Sequence, residues 1–199
     1  MTRPLIVFAH GAGLPSSHPW MQGWAERLAV LGDVRTFDYD YMARGKRAPD
    51  RMPKLLVRHR RALDEARAEV PDAPTILAGK SMGSRVGCHL TLEEGVARIG
   101  GLICFGYPLV GVNGKRRDEV LRALRTPILF LQGTRDRLCP LDVLAEVRPQ
   151  MTARSELHVV DGGDHSLRVG KRALAKAGRT QADVDDDIAA AVAAFIASL

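Results

Sequence analysis

Apolar positions along the chain fall into short continuous runs separated by longer amphipathic stretches. Leu5–Ala9, Val34–Asp38, Pro74–Ala78, Ile99–Phe105, Pro127–Leu131 and Glu156–Val160 are the short runs, and each predicts a strand. Between them, Met21–Leu31 carries Trp24, Leu28 and Leu31 at helical spacing. Leu55–Glu69, Ser81–Leu92, Val120–Leu124 and Leu141–Arg148 also read as helices. Asp183–Leu199, with Val184, Ile188, Val192, Phe195 and Ile196 about a turn apart, closes the chain as a helix. Near-continuous apolar strands are those buried on both faces. The alternation therefore predicts an α/β fold: a doubly wound, mostly parallel six-stranded sheet with helices on both faces. No repeat, low-complexity tract or linker interrupts it, so residues 1–199 read as a single domain. Tyr39–Met52 and Asp161–Thr180 read as long loops, the second with a helical turn around Arg172–Lys176. Gly106–Thr126, between the fourth and fifth strands, is too short for a separate lid domain.

The chain has 199 residues, 46% hydrophobic and 26% charged, enough to bury a core without disulfides or metal staples. This composition excludes a disordered, collagenous, coiled-coil or disulfide-stapled chain. No apolar run approaches the ~20 residues of a membrane span, so no membrane association is expected. Lys and Arg number 29 against 23 Asp and Glu, a net +6 that is too mild for a dedicated nucleic-acid arm. Cys88, Cys104 and Cys139 form no CxxC pair, so neither a zinc knuckle nor a dithiol site is encoded. Cys88 and Cys104 read as buried thiols. The start, Met1 to Phe8, has too short an apolar run for a signal peptide, and the expected location is cytoplasmic.

The sharpest motif is Gly79-Lys80-Ser81-Met82-Gly83, a G-x-S-x-G lying where a strand passes into a helix. That context suits a nucleophile elbow, a turn so sharp that the serine hydroxyl stands out at the carboxyl end of the sheet. The plain reading is a serine capping the helix after a glycine turn. His10-Gly11-Ala12-Gly13 directly follows the first strand. In a doubly wound sheet this loop and the elbow meet in one crevice at the carboxyl ends of the strands. The backbone N–H groups of Ala12 and Met82 would then converge on one oxygen, as an oxyanion hole requires. His10 itself reads as a loop anchor. Neither a GxGxxG nor a P-loop pattern is present, and no cofactor or metal is implied.

A serine needs a base to take its proton. His165, in the loop after the sixth strand, is the candidate. His18 lies in the first loop, His59 and His89 in helices and His158 in a strand, where each is less suitable. Asp136, after Gly133 at the end of the fifth strand, is the candidate orienting acid, with Asp142 and Asp164 as competitors. The chain order Ser81, Asp136, His165 is that of the α/β-hydrolases.

On these residues the sequence resembles the α/β-hydrolase superfamily. More narrowly, it is similar to the small family of testis-expressed protein 30, its bacterial relatives and the hydrolase-like domain of an NSL chromatin complex subunit. The matching segments are His10-Gly11-Ala12-Gly13 with His18-Pro19, Gly79 to Arg85, Gly106-Tyr107-Pro108-Leu109, Gln132 to Asp136, and Asp164-His165-Ser166. The resemblance implies a sheet core without a lid. It is weaker to dienelactone hydrolases, whose nucleophile is a cysteine.

Two function classes follow. The first is a serine hydrolase of a small ester or thioester, acting through Ser81, Asp136 and His165, with Gly11 and the segment Tyr107, Pro108 and Leu109 lining the substrate pocket. The second is an interaction module that keeps the fold without turnover. Between Arg44 and Arg61 eight basic residues stand against one acid, Asp50. This reads either as a solvated face or as a patch steering an anionic substrate. No aromatic residues alternate with the charges to stack nucleic-acid bases. Lys80 reads either as an anchor for a carboxylate or, more plainly, as pointing to solvent, and Arg85 lies one turn beyond Ser81.

Overall fold

The computed structural model describes residues 3–95, 98–111 and 113–199. Six strands, β1 (Leu5–Ala9), β2 (Asp33–Phe37), β3 (Thr75–Lys80), β4 (Gly101–Phe105), β5 (Ile128–Gly133) and β6 (Ser155–Val160), form one sheet in the order β2-β1-β3-β4-β5-β6. All five pairings are parallel. β1, β3, β4 and β5 are buried throughout, whereas the edge strands β2 and β6 are only partly covered.

Strand side chains alternate between two cores. Leu5, Val7 and Ala9 face α3 (Met52–Glu69) and α4 (Met82–Glu94), together with α5 (Glu119–Ala123) and α6 (Leu141–Val147). Ile6 and Phe8 face α1 (Pro19–Ala29) and the closing helix α8 (Gln181–Ala197). At ~25 cal/mol per Å² of apolar surface removed from water, these two cores are the main stabilising term. Cys88, Cys104 and Cys139 are all buried free thiols.

Several helices, α1, α3 and α8 among them, start earlier than the apolar pattern suggests. α1 begins at Pro19, capped by the His18 ring, which accepts from the Trp20 N–H at 3.1 Å. α3 begins at Met52 because Pro53 fits a first helical turn, where its missing N–H costs nothing. The Tyr39–Met52 segment holds a short helix, α2 (Asp40–Ala43), and the Asp161–Thr180 segment holds α7 (Lys171–Lys176). α8 opens with a capping box in which Thr180 and Asp183 satisfy each other's backbone N–H. No described helix is long and apolar enough to cross a membrane.

Candidate functional site

Four loops meet at the carboxyl ends of β1, β3, β5 and β6. The turn from β3 into α4 is the sharpest. Ser81 stands there at φ 50° and ψ −111°, a conformation strained for any residue with a Cβ. The flanking glycines make the turn possible by close approach. A Cβ at Gly79 would lie 2.2 Å from the Ser84 nitrogen, and one at Gly83 would lie 2.4 Å from the Ala9 carbonyl oxygen. Ser81 occupies the helix-capping position, yet its hydroxyl caps nothing. Its Oγ lies instead 2.8 Å from Nε2 of His165, 84 residues away in sequence. The plain reading of Ser81 as a helix cap is thereby replaced.

His165 Nδ1 donates to Asp136 Oδ2 at 2.8 Å. The other oxygen of that buried carboxylate accepts from the Leu138 N–H at 2.9 Å. With the ring proton held on Nδ1, the Nε2 lone pair faces the serine hydroxyl, the arrangement in which imidazole acts as a base. The competing acids are spent locally. Asp142 Oδ1 accepts from Val143 N–H in the first turn of α6, and Asp164 Oδ1 accepts from the N–H groups of Ser166 and Arg168. Asp164 thus shapes the loop that carries His165.

That loop is held from three sides. Trp20 Nε1 donates to the Ser166 carbonyl at 3.0 Å. Arg135 N–H donates to the Gly163 carbonyl at 2.9 Å, tying the acid's turn to the histidine's loop. Lys80 Nζ donates to the carbonyl of His165 itself. Lys80 is 3% exposed, with its ammonium 5.6 Å from the Trp20 ring centroid, which corrects the expectation that it points to solvent. Burial pulls its pKa down to about 8, while Asp136 and Asp164 oppose that shift. Strand parity carried the signal: Lys80 follows Ile76 and Ala78 on the face packed against α1 and α8.

His10 is an anchor, as expected. Its Nδ1 donates to the Gly11 carbonyl at 2.6 Å, and its Nε2 accepts from the Tyr39 N–H at 3.0 Å. Burial holds it neutral by lowering its pKa. The Ala12 carbonyl accepts from the Tyr41 hydroxyl at 2.8 Å, fixing the peptide between Ala12 and Gly13. Ala12, Ser81 and Met82 line one cleft of 540 Å³. Gly11 packs beside Ser81: a Cβ there would lie 3.6 Å from the serine Cβ.

Tyr107 and Leu109 do not line this cleft. Both are fully buried, and the Tyr107 hydroxyl donates to the Arg117 carbonyl at 3.2 Å. Pro108 between them lines the cleft instead, because an extended segment leaving a strand alternates its sides. The cleft also takes in Arg85 and Arg117, of which only Arg85 stood out in the sequence. The basic Arg44–Arg61 stretch is partly neutralised. Arg44 pairs with Asp50 at 3.2 Å, Arg61 with Asp40 at 3.3 Å, and Arg60 with Glu93 and Glu94. Lys46, Arg47, Arg51 and Lys54 are exposed and make no ion pair among the described residues.

Residues 2–197 match the alpha/beta hydrolase domain family. The chain belongs to that family. Solved structures share its fold at low identity. An alpha-beta serine hydrolase homologue from Coxiella burnetii is 16% identical over 83% of this chain and 78% of its own, with a TM-score of 0.69. Est1E from Butyrivibrio proteoclasticus, solved with ferulic acid bound, is 15% identical over 88% of this chain and 86% of its own, with a TM-score of 0.69. A cold-adapted esterase from an Arctic intertidal metagenomic library is 22% identical over 83% of this chain and 74% of its own, with a TM-score of 0.61. The fold is thus common to all of them, while the chemistry at the rim of the sheet is a matter for the side chains.

Proposed function

We propose that this protein is a serine hydrolase that cleaves a small ester or thioester through an acyl-enzyme on Ser81. The observation that carries the reading is the unbroken chain from Ser81 Oγ to His165 Nε2 and from His165 Nδ1 to Asp136 Oδ2, with both links at 2.8 Å. Its members come from three loops, and nothing in the helix and strand pattern requires them to touch.

In the first half-reaction Ser81 Oγ attacks the acyl carbonyl carbon while His165 Nε2 takes the hydroxyl proton. The carbonyl π bond opens, and the oxygen's negative charge develops toward the N–H groups of Ala12 and Met82. One well-placed donor of this kind contributes ~3 kcal/mol to the transition state. The Met82 N–H belongs to the first turn of α4, where backbone donors have no helical partner. Asp136 holds the imidazole tautomer and stabilises the imidazolium. The tetrahedral intermediate collapses, the bond to the leaving group breaks, and His165 returns its proton to the departing alcohol or thiol. Water, deprotonated by the same ring, then attacks the acyl-enzyme and frees Ser81. Two of the structural neighbours are a cold-adapted esterase and a protein with ferulic acid bound, which supports an ester as the substrate class. The narrower resemblance to the testis-expressed protein 30 family belongs to the same reading.

The test is labelling with a fluorophosphonate probe together with p-nitrophenyl ester hydrolysis. Wild type should be labelled at Ser81 and release p-nitrophenolate, whereas Ser81→Ala should do neither. Activity retained in Ser81→Ala would remove the serine from the chemistry. An unlabelled wild type would favour a scaffold that binds without turnover.

A further inference from the structure

Two arginines in the Ser81 cleft have no acid partner among the described residues. Arg85 lies on α4 one turn beyond the serine, and Arg117 lies just before α5. Both line the 540 Å³ cleft with Ser81 and Met82. Among the described residues neither guanidinium makes an ion pair or a side-chain hydrogen bond, and the Nε of Arg85 is buried without any partner. Arg44, Arg60, Arg116 and Arg122, by contrast, each pair with an acid. Burial lowers the pKa of Arg85, and the neighbouring charge of Arg117 lowers it further, opposed by Tyr107, Cys88 and Glu119. The acid in the cleft, Asp50, is held by Arg44.

Placing two like charges together beside a reactive hydroxyl, one of them half-buried, raises the energy of the empty site. An anion between them would relieve that cost. A guanidinium presents a planar fork of donors that fits the two oxygens of a carboxylate or phosphate. We infer that Arg85 and Arg117 form an anion subsite, so that the cleft takes an ester carrying a carboxylate or phosphate group a few atoms from the scissile carbonyl. This inference rests on the hydrolase reading of Ser81 and names its substrate class. The apolar part of the cleft, including Met52, Leu55, Pro108 and Leu138, accommodates the short carbon chain between the two ends. Met52 and Leu55 belong to the basic Arg44–Arg61 stretch, whose exposed Arg51 and Lys54 add positive potential at the cleft's border. The basic stretch thus favours approach of an anion, and the arginine pair holds it.

The experiment compares mono-p-nitrophenyl glutarate with p-nitrophenyl valerate, and 4-acetoxybenzoate with phenyl acetate, so that the charge sits on the acyl side or the alcohol side. Wild type should show kcat/KM about tenfold or more higher for the charged member of at least one pair, falling as salt is added. That ratio should fall about tenfold to a hundredfold in Arg85→Met and in Arg117→Met, as expected for a lost charge-assisted hydrogen bond. Arg85→Lys should retain part of it. A wild-type ratio near one in both pairs, or a ratio unmoved in both Met variants, overturns the inference. Calorimetric titration with glutarate and with butyl phosphate separates the two anions and needs no turnover. If wild type fails to label with fluorophosphonate and cleaves no ester, the hydrolase reading falls. Glutarate or butyl phosphate binding that is lost in the Met variants would then still uphold the anion subsite, and its absence in wild type would overturn it.

Discussion

The strained turn at Ser81 inverts an ordinary mutational rule. Replacing glycine by alanine usually stabilises a protein by about 0.4–1 kcal/mol, because it restricts the unfolded chain. At Ser81, φ is 50° and ψ is −111°, so alanine keeps a Cβ in an unfavourable conformation while glycine does not. Backbone strain of this kind costs of order 1–3 kcal/mol. Ser81→Ala and Ser81→Gly both lose the bond from Oγ to His165, so that term cancels between them. From ~2 kcal/mol of strain, ~0.7 kcal/mol is subtracted for the extra freedom of glycine. A further ~0.4 kcal/mol is subtracted for the half-buried methyl group that glycine lacks. Ser81→Gly should therefore be more stable than Ser81→Ala by about 1 kcal/mol. For a chain of this size that corresponds to roughly 2–4 °C in melting temperature. Thermal melts of the two variants side by side, by calorimetry or circular dichroism, measure it. If Ser81→Ala melts at or above Ser81→Gly, the serine is not held under strain, and the account of how its hydroxyl is projected is wrong.

Lys80 should behave as a positioning residue. Lys80→Met should lower kcat about tenfold with little change in KM, because the carbonyl of His165 loses its donor, while the melting temperature stays close to wild type. An equal loss in both parameters would point to damage of the cleft instead. The folded pKa of Lys80 is about 8, below the ordinary 10.5, so between those values the unfolded chain binds more protons. Its contribution to stability should therefore rise with pH across that window, and the slope should vanish in Lys80→Met. His59, buried against Tyr39 with Nδ1 3.1 Å from the Tyr39 hydroxyl, has its pKa lowered to about 3 by burial and by Arg58 and His10. Acid therefore protonates the unfolded state first, and stability should fall as pH drops from 6.5 toward 3. Denaturant titrations of wild type and His59→Gln should show a shallower fall in the variant, and identical slopes would remove His59 as the cause.

The periodicity of the chain contained the sheet. Runs such as Ile76 to Ala78 and Leu129 to Leu131 are apolar on both faces, which only a covered parallel strand requires. The elbow was also legible, because G-x-S-x-G between a strand and a helix is a local pattern whose glycines answer to local close approach. Chain order then nominated Asp136 and His165, each just beyond a strand's carboxyl end. What a linear pattern does not contain is distance between loops. Ser81 and His165 meet only because β1, β3, β4, β5 and β6 lie side by side in one twisted sheet and the loop after β6 folds back over it. The same long-range packing buried Lys80, turned Pro108 rather than Tyr107 toward the cleft, and brought Arg117 beside Arg85 from a segment with no motif of its own. Backbone preference and hydrophobic spacing act over a few residues, so they set the elements. Which charges end up unpaired beside a hydroxyl depends on how those elements pack, and that was settled in three dimensions.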